Sequence, residues 1–164
     1  MIIYYEELFR ELNKNKVQYV VYGGLAAILH GVHRTTGDVD IIILLEASNI
    51  ERFFALMQKL KYRPKLPVKL EDFKDKKKRQ EWFTKKNMRV FSFFHKEDPF
   101  KWVDLCVDPK IEFEKVKKQF TKIGQLKIPL ITIEELIKFK KKAGRPVDLL
   151  DINDLDRLRK LNNA

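Results

Sequence analysis

Two aspartates one residue apart, Asp38 and Asp40, open the most apolar run of the chain, DVDIIILL over residues 38–45. A run of this kind predicts a strand that is buried on both faces. Because side chains alternate between the two faces of a strand, both carboxylates point the same way. Like charges beside a buried strand repel each other and lose hydration, and a cation between them relieves both costs. The pair therefore predicts a metal-assisted phosphoryl-transfer site.

A pair of glycines, Gly23 and Gly24, lies upstream at the end of the apolar segment VQYVVYGG. Residues 17–23 predict a buried strand, and residues 24–30 predict a short helix that Gly31 ends. A strand that enters a helix through two glycines presents free backbone N–H groups and a helix dipole to an anion, with room for a close approach. Gly-Gly turns are also common structural elements, so the phosphate-binding interpretation depends on the neighbouring aspartates.

A third acid, Asp104, interrupts the β-prone run KWVDLCV over residues 101–107. Two metal ions ~3.5–4 Å apart require a third shared carboxylate. An acid in the middle of a strand is either exposed at an edge or bound to a ligand, so Asp104 is the candidate if its strand neighbours residues 38–45. Asp108 competes for this role, but it precedes Pro109 and is more typical of a turn.

The remaining segments alternate irregularly between helical and strand patterns. Helices are predicted over residues 4–13, 49–62, 71–87, 131–143 and 147–161, and strands over residues 88–95, 101–108 and 124–131. Residues 111–120 predict an amphipathic helix or an irregular turn of one. Ser48 with Glu51, and Thr132 with Glu135, form predicted capping boxes. Pro129 predicts an edge position for the last strand, because proline cannot donate a ladder hydrogen bond.

Length and composition predict one domain over residues 1–164, since 45% of the residues are hydrophobic and the chain is long enough to bury a core. The element order is no regular βαβ array. It predicts an α+β (mixed α/β) fold, with a mixed sheet flanked by helices and further helices at the C-terminus. Lys and Arg number 34 against 23 acids, a net charge of +11 that favours polyanionic partners such as nucleotides, RNA or DNA.

The sequence also predicts where the protein resides. Its apolar runs fall short of the ~20 residues of a membrane span, and the segment MIIYYEELFRELNK lacks the features of a signal peptide. The single cysteine, Cys106, cannot form an internal disulfide, which suits a buried thiol in a reducing compartment. We therefore expect a cytoplasmic protein without membrane association, and no pattern indicates its oligomeric state.

The stretch YGGLAAILHGVHRTTGDVDIII (22–43) resembles the DNA polymerase beta-type nucleotidyltransferase superfamily. That pattern is Gly-Gly or Gly-Ser, a short helix, an Asp-x-Asp that opens an apolar strand, and a third acid on a later strand. Small stand-alone bacterial or archaeal members, minimal or toxin-like, are more similar. They combine Gly-Gly, His-Gly and Arg-x-Thr-x-Asp-x-Asp with a C-terminal region that resembles KKKAGRPVDLLDI (140–152).

The resemblance implies transfer of a nucleoside monophosphate from a triphosphate such as ATP to an acceptor hydroxyl, with release of pyrophosphate. It implies two Mg²⁺ ions, with Mn²⁺ as the alternative, bound by Asp38, Asp40 and Asp104. By the same resemblance Asp104 would help to deprotonate the acceptor hydroxyl. Gly23 and Gly24 would hold the β- and γ-phosphates. Many active relatives carry a serine at the position of Gly24, whose hydroxyl contacts a phosphate. Since this chain has glycine there, only its backbone could make that contact.

Further candidates for phosphate contacts lie on either side of this motif. Arg34 and Thr36 stand in the loop that enters the aspartate pair, although Arg34 is equally explained as a surface arginine. Lys141 or Lys142 is a candidate near the end of the lysine-rich helix, where cations also simply complement the helix dipole. His30 is more typical of a packing or capping histidine than of a ligand.

The basic stretch over residues 74–89 is a candidate site for an RNA or DNA acceptor, with Trp82 or Phe83 stacking on a base. A solvated helix face explains the same lysines. Three functions therefore compete: a nucleotidyltransferase acting on RNA, protein or a small molecule; a non-catalytic nucleic-acid-binding module; and one half of a toxin–antitoxin pair. The three acids favour the first.

Overall fold

The computed structural model describes residues 5–164, which form helices and strands in mixed order. In chain order they are α1 (Glu6–Lys14), β1 (Tyr19–Tyr22), α2 (Gly23–His30), β2 (Asp38–Ile43), α3 (Ala47–Lys59), β3 (Tyr62–Pro64), α4 (Leu70–Lys74), α5 (Lys76–Lys86), β4 (Val90–His95), β5 (Trp102–Cys106), β6 (Lys118–Ile123), β7 (Leu126–Ile131), α6 (Ile133–Ala143) and α7 (Pro146–Asn162). Residue 4, where the first helix was predicted to begin, lies outside the described residues.

One seven-stranded sheet organises the fold, with the strand order β3-β4-β5-β2-β1-β7-β6. β2 pairs in parallel with β5, and β1 in parallel with β7. The other neighbouring strands are antiparallel. A mixed sheet with flanking helices and two closing helices confirms the predicted α+β fold class.

The register of β4 and β5 gives the sheet two chemically different faces. Phe91 pairs with Leu105 on one of them, and aromatic side chains of α3 and α4 cover that face. The ring of Phe53 lies 5.5 Å from that of Phe93, and the ring of Phe73 lies 5.2 Å from that of Phe91. Residues between these apolar positions, including the aspartates of β2 and β5, point to the opposite face.

Helices α2 and α6 lie on that opposite face. Tyr22, which is paired with Asp40 across β1 and β2, contacts Phe139 of α6 with ring centroids 5.9 Å apart. His30 of α2 is hydrogen-bonded through Nε2 to the carbonyl of Ile131 at 2.7 Å. The prediction that His30 packs rather than binds a ligand is therefore confirmed.

The helix predicted over residues 111–120 is wrong. A short 3₁₀ turn at Phe113–Lys115 is followed by β6, which pairs with β7 over its whole length. Gly124, with a φ of 57°, supplies the left-handed residue that the hairpin turn needs. Cross-strand pairing thus overrides a local spacing that had favoured a helix.

The edge position predicted for the strand with Pro129 is also wrong, because β7 lies between β1 and β6. β1 meets β7 at a single register position, Val21 with Leu130, so little of the ladder on that side depends on the proline. The true edge strand is β6, whose exposed residues include Lys118 and Phe120.

Helix starts also differ from the predicted capping boxes. Helix α3 begins at Ala47 after Glu46, without a side-chain cap, so the predicted cap at Ser48 is wrong. Thr132 does cap α6, since its hydroxyl accepts from the Glu135 N–H. The basic helix predicted over residues 71–87 is two helices, because Asp75 caps α5 and separates it from α4.

No helix within residues 5–164 is both long and apolar enough to cross a lipid bilayer.

We expect Asn49→Ala to lower the free energy of unfolding by about 1–3 kcal/mol. The buried Asn49 side chain accepts from the Gln18 N–H at 2.8 Å and donates to the Gln18 and Leu44 carbonyls at 3.0 and 2.9 Å, so it ties the start of β1 to the end of β2. Urea denaturation measures the loss. The neighbouring Ser48→Ala is the control and should change stability by less than about 0.5 kcal/mol, since Ser48 is exposed and caps nothing. Equal losses in the two variants would contradict this assignment.

Candidate active site

The three predicted aspartates lie on one face of the sheet. β2 and β5 run parallel, with Asp40 directly opposite Asp104 and Asp38 opposite Trp102. Side chains at directly paired positions of neighbouring strands share a face, as do residues two apart on one strand. Asp38, Asp40 and Asp104 therefore project from the same face, as the sequence required of a shared cation site.

The electrostatics of this face disfavour three uncompensated charges. Burial, followed by the charge of Asp104, raises the pKa of Asp40 to about 7 from its ordinary value of 3.8. Partial burial and Asp104 also raise the pKa of Asp38. The backbone N–H of Gly24 donates to Asp40 Oδ2 at 3.4 Å and offsets part of this cost. Bringing a cation to these carboxylates would favour their charged forms.

Neighbouring side chains leave no room for a Cβ at either glycine of the pair. Gly23 has a φ of 69°, and a Cβ at this position would lie 2.1 Å from Asp40 Oδ2. A Cβ on Gly24 would lie 2.8 Å from the hydroxyl oxygen of Thr36. Side chains are therefore excluded at both positions, and the start of α2 lies directly against Asp40 and the loop before it.

A cleft of about 560 Å³ opens beside these acids. Such a volume lies within the range of small-molecule sites, ~300–1,000 Å³. Four predicted residues line it: Gly23, Asp40, Asp104 and Lys142. The other lining residues are Tyr22, Arg89, Val90, Cys106, Asp108, Lys110, Ile111, Lys138, Phe139, Ala143 and Arg145.

Other predicted residues lie outside the cleft wall, namely Asp38, Gly24, Arg34, Thr36 and Lys141. Arg34 is bound by Asp151, to which its guanidinium donates. Both lysines are exposed, but only Lys142 lines the cleft, where its Nζ lies 3.7 Å from Asp108, so it is the better placed of the two. Asp108 forms the expected turn by accepting from the Lys110 N–H at 2.9 Å.

A cluster of ion pairs adjoins the cleft through Arg145. We call it the buried ion cluster, and its members are Lys140, Asp148, Asp151, Arg145 and Arg34. Lys140 is 3% exposed, and its Nζ lies 2.6 Å from Asp151 and 3.5 Å from Asp148. Asp148 also accepts from Arg145 Nε at 2.8 Å, and Asp151 from Arg34. The expectation that these aspartates form ion pairs with lysine and arginine is confirmed for Asp148 and Asp151. The cluster joins α6, α7 and the loop before β2.

Among the cationic cleft residues, the sequence singled out neither Arg145 nor Lys110. Arg145 stands in the Ala-Gly-Arg-Pro turn, where it serves as the N-terminal cap of α7 and pairs with Asp148, so that motif was the available signal. Nothing local marks Lys110, which reaches the cleft from the loop after β5. Lys138 belongs to the lysine-rich helix and Arg89 to the basic stretch over residues 74–89, and only the fold brings these two to the same cleft.

The thiol of Cys106 lies buried at the same cleft. Burial raises its pKa to about 11. A thiol with this pKa stays protonated at neutral pH and is a poor nucleophile, as predicted.

The donor set fits a hard divalent ion. No three His, Cys, Asp or Glu side chains within residues 5–164 form a ready-made metal cage. Mg²⁺ rarely uses such cages, because it prefers one or two carboxylates together with substrate phosphates and water. The paired Asp40 and Asp104 carboxylates, half-buried and short of positive charge, match that preference.

Several solved nucleotidyltransferase structures are similar to this chain. The lincosamide antibiotic adenylyltransferase LnuA, bound to lincomycin, superposes with a TM-score of 0.62 at 18% identity, covering 96% of this chain and 95% of its own. A candidate nucleotidyltransferase from Thermotoga maritima gives 0.56 at 17% identity, covering 99% and 92%. The antibiotic-resistance factor ANT(2″)-Ia gives 0.57 at 13% identity, covering 94% and 80%.

No protein-family model matches the sequence, and no curated protein matches it. At these identities the structural likeness shows the fold alone. The chain has the fold of the polymerase beta-like nucleotidyltransferases, which the resemblance predicted.

We expect Asp40→Asn to stabilise the metal-free protein at pH 8. A carboxyl whose pKa is raised on folding favours the folded state most strongly at low pH, and this advantage is lost as the pH rises from about 4 to about 7. Asparagine keeps the shape without that loss. At about 1.4 kcal/mol per pKa unit, the variant should gain up to about 4 kcal/mol over the parent between pH 4 and pH 8, as measured by urea denaturation in EDTA. Asp154→Asn, at a carboxylate that is 45% exposed on α7, is the control, and a pH-independent difference would contradict the electrostatic account.

Asp151→Asn should cost about 3 kcal/mol or more of unfolding free energy, because it leaves the buried Lys140 without its nearest counter-charge. Asp154→Asn on the same helix is the matched comparison, since Asp154 is 45% exposed and lies 3.9 Å from Arg157. That change should cost less than about 1 kcal/mol. Thermal and urea unfolding of both variants measure the contrast, which disappears if the cluster is not structural.

Proposed function

We propose that this chain is a metal-dependent nucleotidyltransferase, one domain over residues 1–164, that transfers a nucleoside monophosphate from a triphosphate to an acceptor hydroxyl. The observation that carries the proposal is the side-by-side pairing of Asp40 and Asp104 on parallel strands, next to Gly23 at the start of α2. The shared fold supports it, because LnuA is an adenylyltransferase and ANT(2″)-Ia has been solved with adenylyl-2″-tobramycin.

Asp38, Asp40 and Asp104 would hold two Mg²⁺ ions, with Mn²⁺ as the alternative, together with water and substrate phosphates. When bound, the ions neutralise charge on the triphosphate and on the leaving pyrophosphate. The raised pKa of Asp40 supports this assignment, because a carboxylate short of positive charge gains most from a cation.

Cations on one wall of the cleft would bind the triphosphate. Lys138, Lys142 and Arg145 line the wall formed by α6 and the start of α7. Asp148 orients Arg145 through hydrogen bonds of 2.8 and 3.2 Å, so this guanidinium is held in position before substrate arrives. The close approach of a phosphate to Gly23 and to the start of α2 needs no side chain there.

Roles in phosphate binding for Gly24, Arg34, Thr36 and Lys141 stay predictions. The Gly24 N–H already donates to Asp40, and Arg34 to Asp151. These contacts favour a supporting role, in which the residues hold Asp40 and the loop before β2 in place.

The reaction proceeds by in-line displacement at the α-phosphorus. The acceptor hydroxyl oxygen forms the new bond to phosphorus as its proton passes to a carboxylate oxygen of Asp104. The bond from the α-phosphorus to the bridging oxygen breaks, and pyrophosphate leaves with the electron pair. Positioning and charge neutralisation supply most of the catalysis in such transfers.

We expect Asp104→Asn to lower the rate of pyrophosphate release by about 10²–10⁴-fold, since it removes a general base. The assay incubates the protein with Mg²⁺, each of the four nucleoside triphosphates, and a pool of RNA, protein and small-molecule acceptors. Binding of the triphosphate, measured with a fluorescent ATP analogue, should weaken far less. Asp154→Asn, remote from the cleft, is the control. Full turnover by the Asp104 variant would overturn the catalytic assignment, and tight RNA binding without any turnover would favour a binding module instead.

A further inference from the structure

We propose that the acceptor is a single-stranded nucleic acid and that Arg89, Lys110 and Phe83 bind it. We call these three residues the acceptor surface. This inference rests on the proposed function, because it names the acceptor class for the same cleft.

The position of the acids divides the cleft into two sides. Asp40 and Asp104 lie on β2 and β5, in the middle of the sheet. Phe139 of α6 packs on Tyr22 of β1, so α6 covers the cleft from the side of β1, and its Lys142 reaches as far as Asp108 after β5. Arg89 precedes β4 and Lys110 follows β5, on the other flank of the acids. If the triphosphate occupies the first side, an acceptor hydroxyl must approach Asp104 from the second.

The cations on the second side are not neutralised by the protein. Neither Arg89 nor Lys110 forms an ion pair with any carboxylate in the part of the chain that the structure describes. The earlier part of the basic stretch differs, because Lys74 pairs with Glu51 and Lys78 pairs with Asp72. Lys76, Lys77 and Lys86 of the basic stretch are exposed and also form no ion pair within the described residues. Arg89 and Lys110 differ from these lysines because they line the cleft beside the acids.

An aromatic side chain lies next to these cations. Trp82 and Phe83 are both partly exposed. Trp82 packs against the core, stacked on Phe91 with ring centroids 6.5 Å apart, so one face of its indole is covered. Lys110 Nζ lies 5.9 Å from the ring centroid of Phe83. The structure thus distinguishes two aromatics that the sequence left as equal candidates.

A cation beside an accessible ring, on a surface that leads into a cleft, is the arrangement that binds single strands through phosphates and stacked bases. The same charges disfavour the binding of a polycationic acceptor, since Arg89 and Lys110 would repel it. A single strand that ends in a 3′ hydroxyl would bring its phosphates to the two cations and its terminal hydroxyl towards Asp104. The net charge of +11 would favour its association.

The test measures binding of a 5′-fluorescein-labelled 20-nucleotide single-stranded RNA of mixed sequence by anisotropy, at several salt concentrations. The double variant R89A/K110A should bind at least tenfold more weakly at low salt. It should also reduce the slope of log K against log salt by about 1.4, which is two phosphate contacts at ~0.7 each. Phe83→Leu should weaken binding about tenfold with little change in slope.

The matched control is K122A/K160A, which removes two charges from exposed positions elsewhere and should leave the slope nearly unchanged. Arg89, Lys110 and the control lysines are all exposed, so each variant should keep its fold, as circular dichroism will verify. Equal RNA affinity for R89A/K110A and the control overturns the acceptor surface.

Two further measurements separate this inference from the proposed function. Fluorescent ATP binding and pyrophosphate release are followed in the parent protein, with RNA and then with tobramycin as acceptor. Turnover with tobramycin but not with RNA overturns the nucleic-acid acceptor and leaves nucleotidyl transfer standing. RNA binding that depends on Arg89 and Lys110, without ATP binding or turnover, supports the surface and overturns the transfer.

Discussion

The repulsion between two carboxylates held side by side on parallel strands is the constraint around which the site is organised. The β2–β5 register puts Asp40 beside Asp104, and burial denies both the full hydration that would relieve the repulsion. The protein supplies only weak compensation to Asp40, from the Gly24 N–H at 3.4 Å and from the charge of Arg145. This deficit of positive charge is typical of functional sites, where stability is given up for ligand binding.

The buried ion cluster differs from the candidate site, because each of its charges has a partner of opposite sign. Lys140 lies between Asp148 and Asp151, and each of these aspartates also binds an arginine. One of those arginines, Arg145, lines the cleft. The cluster thereby connects the packing of α6 on α7 to the position of a cleft cation, and the same contacts that stabilise the C-terminal helices also shape the candidate phosphate-binding wall.

Much of the fold was predictable, because most strands and helices have strong local patterns. The apolar run after Asp40 became β2, and the amphipathic spacing after Pro146 became α7. Errors arose where partners far along the chain decided the outcome. β6 is a strand because it has β7 to pair with, and Pro129 is tolerated inside the sheet because β1 meets β7 at only one position.

The sequence by itself determined the reactive groups: three aspartates, a glycine pair and an excess of basic residues, each recognisable because its chemistry depends on residues adjacent along the chain. Only the tertiary structure decided which cations reach the cleft. Lys140 is buried while Lys142 lies 3.7 Å from Asp108, and Trp82 packs against the core while Phe83 lies beside Lys110. These choices follow from helix packing and strand register, which join residues far apart in sequence and leave no local pattern.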